Sequence, residues 1–186
     1  MTKSGDARHM DRVTNYLASG RFLVLLLLIA IVVGISFGLA GRSLGGPLLD
    51  MISGVPANQV RLAAMTPDQR VAHLWVTLTL DIVYPLAYGG GLANFAARFA
   101  TTHKLLVAMP GLFLILADLF ENAMIVLMLN GDSGVIPLKV VATEVKWGLF
   151  GGCSALVLVL AGAAAIRHYA GGAMHGPVGR NASREF

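Results

Sequence analysis

A chain of 186 residues that is 56% hydrophobic and 13% charged, with a mean hydropathy of +0.71, lies well outside soluble domains, whose charged fraction is about a quarter, and its natural solvent is lipid. The formal charge of +4 does not mark a nucleic-acid binder, because Lys and Arg are dispersed between apolar segments and form no single patch. One cysteine, Cys153, excludes an intrachain disulfide or a thiolate zinc site and leaves the redox compartment open.

In chain order, a polar segment (1–20) with mixed charge precedes an apolar run at 22–40. Basic residues before that run and the small Gly38-Leu39-Ala40 resemble a signal peptide. The run is longer than a signal core of about 7–15 residues, so we expect a retained anchor. The connection 41–72 follows, in which residues 56–64 predict a short amphipathic helix burying Val60 and Leu62. Thr66-Pro67-Asp68-Gln69 reads as a helix start with a capping box. Further spans are expected at 73–97, 105–129 and 136–166, each long enough at about 1.5 Å per residue for a hydrocarbon core of about 30 Å. The expected layout is a cytoplasmic N-terminal segment (1–20), a four-span membrane domain (21–169) and a disordered cytoplasmic tail (170–186). The fold class is an all-α integral membrane four-helix bundle.

Basic residues fix the expected orientation. Nine (Lys3, Arg8, Arg12, Arg21, Arg98, Lys104, Arg167, Arg180, Arg184) fall on the side of the termini and four (Arg42, Arg61, Arg70, Lys139) on the other. Both termini are therefore expected in the cytoplasm.

Five ionisable residues lie inside spans: Asp81, Asp118, Glu121, Glu144 and Lys146. Such residues are costly in lipid and are functional candidates by default. Counted from Trp75, Asn130 and Ile136 at the outer interface, they sit about 8 to 17 Å deep, levels that antiparallel helices would bring together beneath the connection. Thr77, Asp81, Tyr84 and Tyr88 share one face of span two, and Asp118, Glu121 and Asn122 share one face of span three. Pro85 cannot donate to the Asp81 carbonyl, so a bend is expected there, with a free backbone oxygen available to a cation or hydroxyl. Glu144 and Lys146, two apart, point to different faces. Lys146 is expected to reach a carboxylate on another helix, with Thr143, Trp147 and Phe150 on its side, while Glu144 shares its face with Gly148 and Gly151 or Gly152, small residues that permit close helix approach within the chain or between copies in a homo-oligomer.

Four acids against one base leave three uncompensated charges, each worth at least a few kcal/mol of desolvation. A shared pocket would then hold protons, a cation, a cationic ligand or water. A structural role, with one lysine salt bridge and protonated acids in interhelical hydrogen bonds, accounts for the same residues.

The elements Asp81-x-x-Tyr84-Pro85-x-x-Tyr88-Gly89 and Asp118-x-x-Glu121-Asn122, followed by Lys146, resemble a loose group of small, uncharacterised bacterial multi-pass membrane proteins. That resemblance spans roughly residues 45 to 150 and implies a bacterial cell (inner) membrane without implying an activity. More distantly, the plan is similar to the sterol-isomerase and sigma-2-receptor-like superfamily, whose intramembrane acids bind cationic or sterol-like ligands; this is likeness of architecture only.

The five histidines fall in termini, interfaces or loops, so no span supplies a haem ligand or His metal cluster, and no hydrolase elbow, phosphate loop or zinc-protease motif is present. Lys146 beside carboxylates has the ingredients of a retinal Schiff base, but four spans are too few. No cofactor is expected. The leading expectation is a binding protein for a cationic or amphipathic small molecule or lipid, with Asp81, Tyr84, Tyr88, Asp118, Glu121, Asn122, Glu144, Lys146 and Trp147 as candidate ligand-binding residues. A proton- or cation-coupled transporter or transporter subunit, and a structural or assembly protein, are the alternatives. An intramembrane enzyme using Asp118 and Glu121 as acid and base has no motif behind it.

Overall fold

The computed structural model describes residues 19–173; the expected N-terminal segment up to residue 18 and the tail beyond residue 173 lie outside them. Among the described residues there is no strand. Six α-helices follow one another: α1 (Gly20–Ser43), α2 (Val55–Ala64), α3 (Pro67–Leu78), α4 (Leu80–Phe99), α5 (Lys104–Leu129) and α6 (Ile136–Ala173), with 3-10 turns at Leu49–Met51 and Ser133–Val135. Four stretches are long and apolar enough to cross a membrane: Gly20–Ser43, Pro67–Phe99, Lys104–Leu129 and Ser133–Ala170. The chain is an all-α membrane four-helix bundle.

Two of the helix starts and one break have a local cause. The Ser19 hydroxyl accepts from the Phe22 N–H at 3.3 Å and opens α1. Thr66 and Gln69 close the expected capping box, Thr66 N–H donating to Gln69 Oε1 (3.0 Å) and Gln69 N–H to Thr66 Oγ1 (3.3 Å). Span two is broken where α3 meets α4. Thr79 has φ −119° and ψ −77°, its N–H bonds to the Val76 carbonyl, and its hydroxyl takes the Trp75 carbonyl at 2.6 Å. The bend thus falls two residues before Asp81, on the N-terminal side of Pro85, where a missing donor is easiest to accommodate.

Packing follows the sequence α1 on α4, α4 on α5 and α6, and α5 on α6; α1 and α6 share no comparable interface. On α5 the buried residues Gly111, Leu114, Asp118, Glu121, Asn122, Ile125 and Met128 form one inward stripe. A Cβ at Gly111 would stand 2.8 Å from the Gly89 carbonyl and 2.9 Å from the Ala93 nitrogen, so α4 and α5 touch backbone to backbone. Gly38, Gly148, Gly151 and Gly152 have nothing within 4 Å of that position. The glycines on the Glu144 face therefore bring no helices together among the described residues.

The connection between α1 and α3 is folded down onto the bundle end. Leu49, Leu62 and Met65 join Ile125, Met128, Leu129 and Ile136 in one apolar cluster. Arg61 donates to the Leu44 and Pro47 carbonyls (both 3.0 Å) and Arg70 to Leu62 (2.6 Å). The Asn58 amide holds the Ile52 and Gly54 carbonyls at the start of α2. The expected amphipathic helix is present, but Val60 is 70% exposed and only Leu62 is buried, because Asn58 and Leu62 define its inner face.

The backbone contact at Gly111 predicts that Gly111→Ala destabilises the bundle by about 1–3 kcal/mol, the usual cost of overpacking, whereas Gly148→Ala is neutral or mildly stabilising through helix propensity. Thermal unfolding in detergent measures both; equal stability of Gly111→Ala and wild type would contradict the contact.

Candidate functional site

The polar interior is built outward from Glu121, which α5 places fully inside. Its Oε1 lies 3.2 Å from Lys139 Nζ and accepts from the Thr143 hydroxyl at 2.5 Å; its Oε2 lies 2.5 Å from Lys146 Nζ. Lys139 also donates to the Leu49 (2.5 Å) and Ile52 (2.8 Å) carbonyls, so all three ammonium protons have acceptors. Lys139 was expected among the basic residues of the outer side; it stands at the same end of the bundle as Arg61 and Arg70, but buried. Three residues into α6 it would meet interface water, but the Leu49–Met51 turn folds over it and brings carbonyl oxygens to the ammonium. It is 0% exposed. His73, also buried, accepts the Leu49 N–H at Nε2 (3.0 Å) and so anchors the same turn.

Beyond this sealed group lies a cavity of about 760 Å³, bounded by α1, the 45–51 segment, α4, α5 and α6. Tyr88 donates to Asp118 Oδ2, and Asp118 Oδ1 is 3.7 Å from Lys146 Nζ. Asp81 is 4% exposed and lines the cavity. Its carboxylate makes no hydrogen bond or ion pair among the described residues. Its backbone carbonyl, expected to be free because of Pro85, accepts from the Asn122 side-chain amide at 2.5 Å. Asn122 therefore grips the bent helix and leaves the carboxylate to the cavity.

Aromatic rings line the walls. Tyr84 stands edge-on to Phe37 (5.3 Å) and tilted against Tyr88 (4.9 Å); Phe150 links Tyr88 and Trp147 (both 5.8 Å). Trp147 and Phe150 line the cavity and are partly exposed, on the side where α1 and α6 share no substantial interface.

Of the nine residues expected to form a site, Asp81, Tyr84, Tyr88, Asp118, Lys146 and Trp147 line the cavity. Glu121 and Asn122 are buried behind its wall. Glu144 is exposed on the outer face of α6 and belongs neither to the cavity nor to the ion pairs. The stripe formed by Lys139, Thr143 and Lys146 turns inward, and Glu144 projects almost opposite it. Two charged lining residues were not among the nine: Arg42, at the rim, and Asp50, whose Oδ1 is buried without a partner. Asp50 sits in a Gly-rich connection where nothing local signals burial. With Asp50 gained and Glu144 lost, four acids face two lysines, so the excess is two charges and not the expected three. Among the described residues no three His, Cys, Asp or Glu side chains converge as metal ligands would.

Lys139→Met is expected to cost about 3–5 kcal/mol, since it breaks a buried pair and strips donors from two carbonyls. It should also open the 45–52 segment to protease; wild-type stability and protection would refute the assignment. Burial raises the Asp50 carboxyl above its ordinary 3.8, against the pull of Lys146. A carboxyl raised on folding stabilises the fold below its unfolded pKa, and that contribution is lost as pH rises through the folded value. Asp50→Asn should therefore raise the unfolding temperature more at pH 8 than at pH 4; an equal effect at both would count against a raised Asp50. Compared with known protein families, with curated proteins and with solved structures, the chain shows no match.

Proposed function

We propose that this chain is a ligand-binding protein of the bacterial cell (inner) membrane, with both termini cytoplasmic, whose cavity receives a cationic or amphipathic small molecule or a lipid. The observation that carries this reading is Asp81, a carboxylate 4% exposed that faces a cavity of about 760 Å³ without a protein partner. A buried carboxylate calls for a proton or a cation. The volume falls within the range of about 300–1,000 Å³ typical of small-molecule sites. Aromatic walls suit an alkyl chain and also an ammonium group, and access from lipid lies on the side between α1 and α6. Asp81, Asp118 and Tyr84 contact the ligand in this reading, with Tyr88 and Lys146 positioning Asp118. Glu121 and Asn122 hold the wall. The likeness of the Asp-x-x-Tyr-Pro and Asp-x-x-Glu-Asn elements to small bacterial multi-pass proteins supports the choice of membrane. The bilayer is the first partner, and the exposed Gly148, Gly151 and Gly152 face is where a further copy would pack.

A second reading, proton- or cation-coupled transport, is favoured by the excess of two acids over the two lysines, which protons or cations would have to balance.

A fluorescent long-chain alkylammonium titrated into the purified chain in nanodiscs should bind saturably. Asp81→Asn should weaken that binding at least about tenfold, the order of one charge-assisted contact, while Glu144→Gln leaves it unchanged. Absence of saturable binding, or indifference to Asp81→Asn, would sink the proposal. Carboxylate-dependent proton or cation flux in proteoliposomes would move the assignment to the transporter.

A further inference from the structure

We propose that the ligand is a zwitterionic amphiphile of the phosphoethanolamine type, with its ammonium on Asp81 and Asp118 and its anionic group on Arg42. This rests on the binding reading above and adds a second pole to it.

The cavity is polarised along its length. Asp81 and Asp118 lie in its depth, 4% and 2% exposed, and Asp81 has no protein partner. Arg42, in the last turn of α1, lines the same cavity and is exposed. The other bases of this end of the bundle are engaged: Arg61 and Arg70 hold backbone carbonyls, and Lys139 and Lys146 hold Glu121. The Arg42 guanidinium makes no hydrogen bond or ion pair among the described residues. A cation in the last turn of a helix complements its dipole, but that uses the charge and leaves five N–H donors unspent. Those donors form the planar fork that takes phosphate or carboxylate in a bidentate manner.

The rim beside Arg42 is unscreened. Gly41, Gly45 and Gly46 line it with backbone alone. A Cβ at Gly46 would stand 3.1 Å from the Arg61 guanidinium carbon, so a second positive charge backs the rim even though its donors are used. A purely cationic ligand would have to pass these two arginines and gain nothing from them. A zwitterion matches both poles. In an amphiphile of this type Arg42, in the last turn of α1, takes the anion and Asp81 the ammonium of one headgroup, and the aromatic walls at Tyr88, Trp147 and Phe150 take the tail.

Isothermal titration of the full chain in a neutral maltoside detergent compares four probes. These are lysophosphatidylethanolamine, lysophosphatidylglycerol (anion without ammonium), an alkyltrimethylammonium of similar tail length (cation without anion) and tail-less phosphoethanolamine. The first should bind about tenfold or more tightly than the second and third, the order of one charge-assisted contact at each pole. Arg42→Gln should abolish its advantage over the alkylammonium without weakening the alkylammonium itself, and Arg42→Lys should restore part of it. Asp81→Asn should weaken both cationic probes. Phosphoethanolamine binding as tightly as its lipid would support the same zwitterion recognition and assign it to a soluble source. Equal affinity of the lysophospholipid and the alkylammonium, or a ratio unmoved by Arg42→Gln, would overturn the zwitterion while leaving the cation site standing. Failure of every ammonium probe would overturn the binding reading beneath it. Arg42 is exposed, so its variants are expected to unfold at the wild-type temperature, and that measurement guards the comparison.

Discussion

Glu121 lies where no water reaches it, and the surrounding structure is arranged so that this carboxylate meets two ammonium groups and a hydroxyl. A buried charge that loses a partner is destabilising by several kcal/mol, so the helices that supply those partners have fixed rotations. On α6, Lys139, Thr143 and Lys146 recur at intervals of four and three and must all face α5. The same requirement reaches outside the spans. Lys139 has two protons left after Glu121, and the Leu49 and Ile52 carbonyls take them. The position of the roof over the bundle end is thus set by a charge inside the bundle, helped by His73 and by the apolar cluster around Leu49.

The bend in span two serves the same geometry from the other side. Pro85 removes the donor that would hold the Asp81 carbonyl within the helix, and the Asn122 amide replaces it from α5. The substitution converts a local defect into an interhelical tie. Together with the backbone contact at Gly89 and Gly111, it sets the distance of α4 from α5 and the direction of the Asp81 side chain. The broken turn at Thr79 then absorbs the change of axis between α3 and α4 without leaving the Trp75 carbonyl unpaired.

Much of this was legible in the sequence. Lipid demands long apolar runs with internally satisfied backbone, so the four spans stand out, as do the Thr66–Gln69 box and the shared face of Asp118, Glu121 and Asn122. The residues placed differently have separate causes. Lys139 was grouped with the bases of the outer side, yet its spacing to Thr143 and Lys146 already placed it on the Lys146 face. That same stripe would have turned Glu144 outward. Asp50 and Arg42 were out of reach, because their place depends on how residues 44–52 fold back over the helix ends, and that is decided by acceptors offered to Lys139 and Arg61 from distant parts of the chain.

The arrangement separates two kinds of buried charge. Glu121, Lys139 and Lys146 are ion-paired with one another, and removing Glu121 would take from both lysines the carboxylate they share. Asp81 is different, because the fold holds residue 81 through its backbone carbonyl, and no described donor is directed at its carboxylate. An asparagine or an aliphatic residue would serve the Asn122 contact equally well and would spare the bundle a desolvated acid. Helix packing therefore uses everything at this position except the carboxylate. Nearby donors have other duties: Tyr88 is committed to Asp118, and Lys146 is closer to Glu121 than to Asp118. What remains within reach of Asp81 is the space enclosed by the aromatic walls. An unpaired acid facing that space thus stands beside an ion-paired cluster that keeps the helices in register.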